Sequence, residues 1–347
     1  MAKRDLSRLL DPLQKRSLYS GACLSAYRQS DDLSAAVGYG DLGPDKPYFA
    51  ASTTKLYLTA VLLQLMDERR IVLDQPLAQH LPANLLEGIN CHGGEDLSSL
   101  ISIKMAMSHT SGLPDYFQHK VGKRTLQARV CAGEDQSWSV EDVVEMVRNE
   151  DALHPPGATK GATYSDTNYQ LLGRLVEEVE ATPLNEVMAQ RLFKPLGLEN
   201  TYLYTDPSDE RPHPLRFRNR FLHVPQAMTS FRGDGSLVTT ASEAMVFLRA
   251  FFDGQLFNAG DLTALFEWRP LFFPLHYGAG LMSYRLPAVF TGFRRHPRLL
   301  GHSGLSGAFL FAAPDAGVFL TGTVNQIHKP STSFQLMTRA LAALKLS

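Results

Sequence analysis

The feature that most constrains the fold is an apolar run from Leu56 to Met66, which directly follows Ser52-Thr53-Thr54-Lys55. Nearly every residue of the run is apolar, so a helix over it must be buried on most sides, as a central core helix is. At the start of such a helix Ser52 would meet the positive end of the helix dipole, and Lys55 at i+3 would share its face. The sequence thus predicts a serine nucleophile and an activating amine. Ser-x-x-Lys is short, however, and gains weight only from the rest of the chain.

Bulk composition excludes several classes of function. The chain has 347 residues and a net charge of -1, which gives no electrostatic case for nucleic acid or an anionic membrane. Three scattered cysteines without a Cys-x-x-Cys pair indicate neither a disulfide framework nor a zinc site. No secretory signal is visible and the longest apolar run is too short to cross a bilayer, so we expect a cytoplasmic protein.

The order of patterns along the chain predicts an α+β fold, an α/β sandwich. Strand patterns near the N-terminus and again after residue 235 suggest an antiparallel sheet built from both termini and flanked by helices. Residues 1–74 and 232–347 would form this sheet domain, and residues 75–231 a mostly helical inserted domain, with the active site in the cleft between them. The strand predictions are 22–27, 33–37, 281–286, 308–312 and 318–324, and the later helix predictions are 241–252 and 333–346.

Two motifs suggest other folds but lack the required context. Gly38-Tyr39-Gly40-Asp41-Leu42-Gly43 matches G-x-G-x-x-G, yet Pro44 and Pro47 follow where a dinucleotide-binding loop would open a helix. Ser303 and Ser306 lie in glycine-rich surroundings that suggest a nucleophile elbow. Neither completes G-x-S-x-G, and a strand rather than a helix is expected after them.

Distant segments offer the partners that an activated serine needs. Tyr164 follows a glycine-containing loop, and its phenol could act as a base if a cation such as Lys55 stabilised the phenolate. His302 lies in Gly301-His302-Ser303-Gly304, where it could add a tunable positive charge. Tyr116 either lines the cleft and contacts substrate or is a packed aromatic, and His109 is expected to be a structural turn residue.

Taken in order, these segments resemble the serine β-lactamase and penicillin-binding-protein superfamily, in particular its branch of class C β-lactamases, DD-peptidases and esterases. Ser52-Thr53-Thr54-Lys55 resembles the Ser-x-x-Lys motif, Tyr164-Ser165-Asp166 the Tyr-x-Asn motif, and His302-Ser303-Gly304 the final Lys-x-Gly or His-x-Gly motif, which that family places at a sheet edge. Four further stretches look like family landmarks: 107–114, 164–173, 193–198 and 235–242.

The resemblance implies an acyl-enzyme mechanism without a metal or organic cofactor. Tyr164, as a phenolate or through proton exchange with Lys55, would remove the Ser52 proton. The backbone N–H groups of Ser52 and Leu305, which follows Gly304, would hold the oxyanion.

Two departures from the family motifs bear on specificity. Asp166 stands where the family has asparagine, and a carboxylate cannot donate a hydrogen bond to a substrate carbonyl. It is expected to pair with Lys55 or with a substrate cation. His302 stands where dedicated β-lactamases resemble one another in carrying lysine, so binding of a substrate carboxylate would be weaker.

These departures favour an esterase or amidase that acts on small acyl substrates over a drug-resistance enzyme. The partner would be a small-molecule ester, amide or lactam. A DD-peptidase, a D-aminopeptidase or a weak class C-type β-lactamase is the first alternative. A non-catalytic, ligand-sensing or scaffold member of the fold is the second.

Overall fold

The computed structural model describes residues 6–148, 150–286 and 297–344. Its central helix, α1, runs over Thr54–Asp67, and all but a few of its residues are buried. Ser52 precedes the helix, in a 3₁₀ turn over Ala51–Thr53, and Lys55 lies in its first turn. The predicted core helix is therefore present, with the serine one short turn before its start.

A large sheet of eight antiparallel strands dominates the molecule. The strands are β1 Gly21–Arg28, β2 Leu33–Gly40, β3 Arg269–Phe272, β4 Leu275–Tyr277, β5 Met282–Tyr284, β6 Leu299–Ser303, β7 Ala308–Ala313 and β8 Val318–Thr323. Their spatial order is β3-β4-β5-β6-β7-β8-β1-β2, so the N-terminal and C-terminal strands pair directly. This confirms the predicted antiparallel sheet built from both termini.

Three of these strands, β3, β4 and β6, were not predicted. Pro270 and Pro274 interrupt the strand pattern of β3 and β4, and β3 tolerates its proline because it is the edge strand of the sheet. Strand β6 is short and contains Gly301, which weakens a strand signal. It lies between β5 and β7, so the His-x-Gly motif is inside the sheet and not at its edge.

Helices cover both faces of the sheet and create two apolar cores. Helix α4, over Ala241–Phe252, packs on one face, where Phe247 stacks on Tyr57 of α1 at 3.5 Å between ring centroids. Helix α5, over Ser331–Ala343, packs on the other face, where Phe334 meets Phe311 at 6.0 Å. Each fully buried large apolar side chain stabilises the fold by about 1.5–3 kcal/mol. The layering is that of the predicted α/β sandwich.

The segment from residue 75 to residue 231 contributes helices, short hairpins and loops. Its longer helices are α2 over Val140–Arg148 and α3 over Thr167–Glu180. The division into domains at residues 74 and 232 stays a prediction. Shorter helices that lie wholly within the described residues are Asp11–Gln14, Ile103–Met107, Leu126–Cys131, Leu184–Met188, Pro225–Ser230 and Arg232–Gly235. Minor strands in the same residues form a three-stranded sheet of Tyr48–Phe49, Leu237–Thr239 and Tyr202–Leu203. Others form small hairpins: Cys91–His92 with Glu95–Asp96, Lys120–Val121 with Arg124–Thr125, and Arg216–Phe217 with Arg220–Phe221.

Across the described ranges no helix is both long and apolar enough to cross a membrane. The same part of the chain contains no cluster of three or more histidine, cysteine or acidic side chains that could hold a metal ion.

Candidate active site

Ser52 lies on a strained turn that is pressed against the end of strand β6. Ala51, the residue before it, has a φ of 49°, a left-handed conformation that is costly for alanine and is found where surrounding packing enforces it. Gly304 follows β6, and a Cβ atom added there would lie 2.4 Å from the Ala50 carbonyl oxygen. Glycine at 304 therefore allows the backbone after β6, including Leu305, to reach the serine turn. Ser52, Gly304 and Leu305 all line one cavity.

Lys55 is fully buried and held by two oxygen partners. Its Nζ atom lies 2.6 Å from Oδ1 of Asp166 and donates a hydrogen bond of 2.7 Å to the Asp234 carbonyl oxygen. Burial alone would lower the pKa of Lys55, but the negative charge of Asp166, with Tyr164 and Asp234, outweighs it and raises the pKa. Lys55 is thus an ammonium in the resting site, and the predicted pairing of Asp166 with Lys55 is present.

Tyr164 lies beside both the serine and the lysine. Ser52 and Lys55 each act to lower the pKa of its phenol, and the Nζ atom of Lys55 is 5.2 Å from the tyrosine ring centroid. Burial raises the pKa of Tyr164, and the attraction of Lys55 offsets only part of the increase. The resting side chain is therefore a neutral phenol. Of the two roles expected for Tyr164, proton exchange with Lys55 is compatible with this neutral phenol, whereas a standing phenolate is not.

Two acidic residues that the sequence did not single out complete the polar side of the cavity. Burial raises the pKa of Asp115 to about 8, and the nearby Asp166 carboxylate adds to the effect, although Asp115 accepts hydrogen bonds from the backbone N–H groups of Phe117 (3.1 Å) and Asp166 (3.2 Å). Burial and Asp166 also raise the pKa of Asp234 well above its usual range. Neither acid was detectable by motif, because Asp115 lies in a loop and Asp234 in the short helix Arg232–Gly235, both far from the serine in sequence.

His302 does not have the predicted place. Its ring is fully buried and does not line the cavity, whereas Ser303 does. Its Nδ1 atom donates to the Ser303 carbonyl oxygen, so Nε2 is left to accept the hydroxyl of Tyr277, each at 2.9 Å. Burial and the charge of Lys55 lower the pKa of His302 to about 3. The expectation of a tunable positive charge at this position is therefore wrong, because a buried neutral imidazole already satisfies both its nitrogens.

Tyr116 is a packed aromatic and not a cleft wall. It is fully buried, and its hydroxyl donates to Oδ2 of Asp234 at 2.8 Å. The residue is absent from the described lining of the cavity. Its effect on the site is to hold Asp234.

His109 supports Tyr164 from behind, in agreement with its predicted structural role. The two rings lie 4.3 Å apart between centroids, and Nδ1 of His109 accepts the backbone N–H of Ser165 at 3.2 Å. Burial, together with the charge of Lys55, lowers the pKa of His109 well below its usual range. A neutral, fixed imidazole thus sets the position of the loop that carries Tyr164.

The cavity beside Ser52 has a volume of about 770 Å³ and is lined mainly by apolar side chains. Its carboxyl groups are those of Asp115, Asp166 and Asp234. Within the described lining, the single basic side chain is Arg339, which is exposed. The structure brings five of the predicted site residues together in the lining of this cavity: Ser52, Tyr164, Asp166, Gly304 and Leu305. No sequence pattern indicated the size or the apolar character of the cavity.

Comparison with known proteins gives a consistent result. The family model described as Beta-lactamase matches residues 6–344. A protein of Escherichia coli (strain K12), provisionally named D-alanyl-D-alanine carboxypeptidase, is 23% identical over 317 residues, which are 82% of this chain and 70% of that protein.

Solved structures show the same fold. The D-amino acid amidase from Ochrobactrum anthropi SV3, in its complex with L-phenylalanine, has a TM-score of 0.80 and 20% identity, covering 99% of this chain and 98% of the other. A D-stereospecific amidohydrolase from Streptomyces sp. has a TM-score of 0.78 and 24% identity, covering 94% and 95% of the two chains.

Proposed function

The chain belongs to the β-lactamase family of serine hydrolases, and on that premise we propose that it cleaves esters or amides through an acyl-enzyme on Ser52. We further propose that its substrates lack a carboxylate beside the bond that is broken. The supporting observation is the scarcity of cations in the described lining, whose one basic side chain is the exposed Arg339. β-Lactams and the peptides that carboxypeptidases cut both carry a carboxylate, and the described lining holds no buried cation that would bind it.

Proton transfer in the proposed mechanism runs through three residues. Lys55, an ammonium at rest, first gives one of its protons to the Asp166 carboxylate 2.6 Å away. Ser52 Oγ then attacks the substrate carbonyl and gives its proton to Tyr164, which passes its own proton to the neutral amine of Lys55. The relay leaves Lys55 and Tyr164 unchanged in charge and places the serine proton on Asp166.

Collapse of the tetrahedral intermediate breaks the bond to the leaving alcohol or amine. The same relay, run in reverse, returns a proton to that group. Water then attacks the acyl-serine ester and regenerates Ser52, while the backbone N–H groups of Ser52 and Leu305 stabilise the oxyanion of both steps.

A fluorophosphonate probe tests the nucleophile directly. We expect the wild type to be labelled and Ser52→Ala not to be. Ser303→Ala and Ser306→Ala are matched controls, since both serines line the same cavity, and both variants should be labelled like the wild type. Equal labelling of Ser52→Ala, or no labelling of the wild type, would overturn the assignment in favour of another nucleophile or of a non-catalytic protein.

Substrate preference is tested by comparing short-chain 4-nitrophenyl esters with a chromogenic cephalosporin. Esters should be turned over faster, because the carboxylate of the cephalosporin meets no buried basic side chain in the described lining. Rapid cephalosporin turnover with inert esters would overturn the proposed preference.

An aminopeptidase-like amidase is the second candidate, and the carboxyl groups of Asp115, Asp166 and Asp234 favour it because they offer oxygen atoms to which a substrate ammonium can donate hydrogen bonds. Amino acid 4-nitroanilides with a free amine should then react faster than their N-acetylated forms. Equal rates for the two forms would argue against this candidate.

A further inference from the structure

Two exposed phenylalanines lie at the mouth of the cavity and have no part in the cores of the fold. Phe272 ends strand β3, Phe273 follows it, and the short turn leads through Pro274 into β4. Phe272 is 61% exposed and Phe273 is 70% exposed, the highest fractions among the large apolar side chains described. Both nevertheless line the cavity that contains Ser52. Exposed aromatic pairs of this kind mark binding sites when they border a groove.

The wall below this hairpin is apolar and rigid. Leu275 of β4 and Met282 of β5 are buried and line the cavity. Tyr284 packs against Phe334 of α5 at 4.8 Å between ring centroids, with the rings tilted by 49°, and its hydroxyl is 3.2 Å from the Oγ1 atom of Thr338. The side chains are thus fixed in advance of binding, so little conformational entropy is lost when an apolar group covers them.

Apolar residues from other parts of the chain line the cavity as well. Phe117 and Phe231 pack edge to face at 5.1 Å, and both line the cavity. Further apolar residues of the lining include Val130, Leu215, Leu222 and Met228. A volume of about 770 Å³ is within the range of sites for drug-sized ligands and exceeds what an acetyl or propionyl group requires.

We infer that this protein acts on esters or amides with a bulky apolar group, and that Phe272 and Phe273 form an aromatic clamp over that group. The inference rests on the proposed function of Ser52 as nucleophile and revises the expectation of small acyl substrates. The clamped group is an alkyl chain of about six carbons or more, or an aromatic ring, on either the acyl half or the leaving half of the substrate. Covering it would remove from water both the substrate carbon and the exposed faces of the two rings.

Turnover tests the clamp with two series of esters. One varies the acyl half, from 4-nitrophenyl acetate through butyrate to octanoate, and the other varies the leaving half, from ethyl acetate to octyl acetate. Burial of one CH₂ stabilises by about 0.8 kcal/mol, so even partial burial of the added chain should raise kcat/KM by tenfold or more. We expect this increase in at least one series for the wild type.

The double variant Phe272→Ser, Phe273→Ser should lose most of that selectivity. We expect about a fivefold or greater loss of kcat/KM for the preferred eight-carbon ester and less than a twofold change for the acetate. Because both side chains are already exposed, the Tm should change little. Leu100→Ser is the matched control, since Leu100 is 58% exposed but is not part of the described lining, and it should keep the wild-type selectivity.

Binding to Ser52→Ala separates the clamp from the chemistry. N-ethyloctanamide and N-octylacetamide place the long chain on the acyl and the amine half, and one of them should bind at least tenfold tighter than N-ethylacetamide by titration calorimetry. The clamp is overturned if neither long amide binds more tightly, or if the preference persists without Phe272 and Phe273. Binding with that preference but no turnover by the wild type would instead refute the proposed hydrolase function and leave the clamp standing.

Discussion

The ammonium of Lys55 lies 2.6 Å from the carboxylate of Asp166. Asp166 occupies the position at which the family motif has an uncharged asparagine. This ion pair changes the chemistry available to the site. It stabilises the protonated form of Lys55, so the lysine cannot accept the serine proton unless it first gives one away. The carboxylate that holds the lysine is also the acceptor nearest to it.

Replacing Asp166 by asparagine should therefore slow the reaction near neutral pH. Without the carboxylate the pKa of Lys55 falls, and Lys55 must lose its proton to solvent before it can act. We expect kcat at pH 7 to drop by about 10²-fold and the acid limb of the kcat/KM profile to move. Asp209→Asn, which breaks a 2.8 Å ion pair with Arg211 outside the cavity lining, is the control. An unchanged rate and pH profile in Asp166→Asn would contradict the relay.

Tyr164→Phe should interrupt the relay and keep the shape of the site. The phenylalanine ring can still pack on His109, whose ring lies 4.3 Å away. We expect kcat to fall by about 10²- to 10⁴-fold with a Tm within a few degrees of the wild type. Tyr204→Phe removes a hydroxyl that bonds the Asp209 carbonyl oxygen, away from the cavity, and should leave kcat unchanged. Wild-type kcat in Tyr164→Phe would remove the phenol from the mechanism.

Local patterns predicted the elements of the fold because their causes are local. For the apolar run of α1 and the polar turn between β1 and β2, about a dozen consecutive residues are enough to predict the structure. By contrast, strand β3 was not predicted because Pro270 interrupts its strand pattern, and this edge strand forms by pairing with β4.

Residues of the candidate site were predictable where they belong to a short motif, as Ser52 and Tyr164 do. They were not predictable where the direction of the side chain determines whether a residue lines the cavity. Successive side chains of a strand point to opposite faces, so Ser303 lines the cavity and His302, one residue earlier, is directed away from it. A short motif does not indicate which of two successive strand residues faces the cavity. Asp115, in a loop, and Phe272, at the end of β3, reach the cavity only because the tertiary fold brings these segments together, and single-sequence patterns do not contain that information.

Asp115 should make stability depend on pH. Its pKa is raised to about 8 in the folded protein and lies near 3.8 when unfolded, so between those values the folded state binds the extra proton. Stability is therefore lost as pH rises from about 4 to 8. Asp115→Asn removes this loss. The free energy of unfolding of the variant minus that of the wild type should therefore be larger at pH 9 than at pH 5 by at least about 1.4 kcal/mol, the equivalent of one pKa unit.

Urea titrations of both proteins at the two pH values measure this effect. Asp206→Asn is the control, because Asp206 is exposed and lies outside the cavity lining. A difference between wild type and Asp115→Asn that does not change with pH would show that Asp115 is ionised throughout.

Gly304→Ala should separate β6 from the serine turn. The added Cβ would lie 2.4 Å from the Ala50 carbonyl oxygen and 3.1 Å from the Ala51 Cβ, so the backbone must shift. Overpacking of this kind costs about 1–3 kcal/mol, and a displacement of 1 Å at a reacting centre can cost about 10²-fold in rate. Gly43→Ala is the control, since its Cβ would meet no atom within 4 Å. Full activity and unchanged stability in Gly304→Ala would contradict the close approach.

His302→Lys introduces the lysine of the family motif at a position that is buried in this protein and lies outside the described cavity lining. The side chain would replace a buried neutral imidazole that accepts the Tyr277 hydroxyl, and the new ammonium would lie near the existing charge of Lys55. An uncompensated buried charge destabilises by about 3 kcal/mol or more, so the Tm should fall markedly. His302→Gln, which keeps an acceptor and a donor, should lose far less stability. Cephalosporin turnover should not rise in either variant, because residue 302 is directed away from the cavity. A stable His302→Lys protein with increased cephalosporin turnover would show that the side chain at 302 reaches substrate.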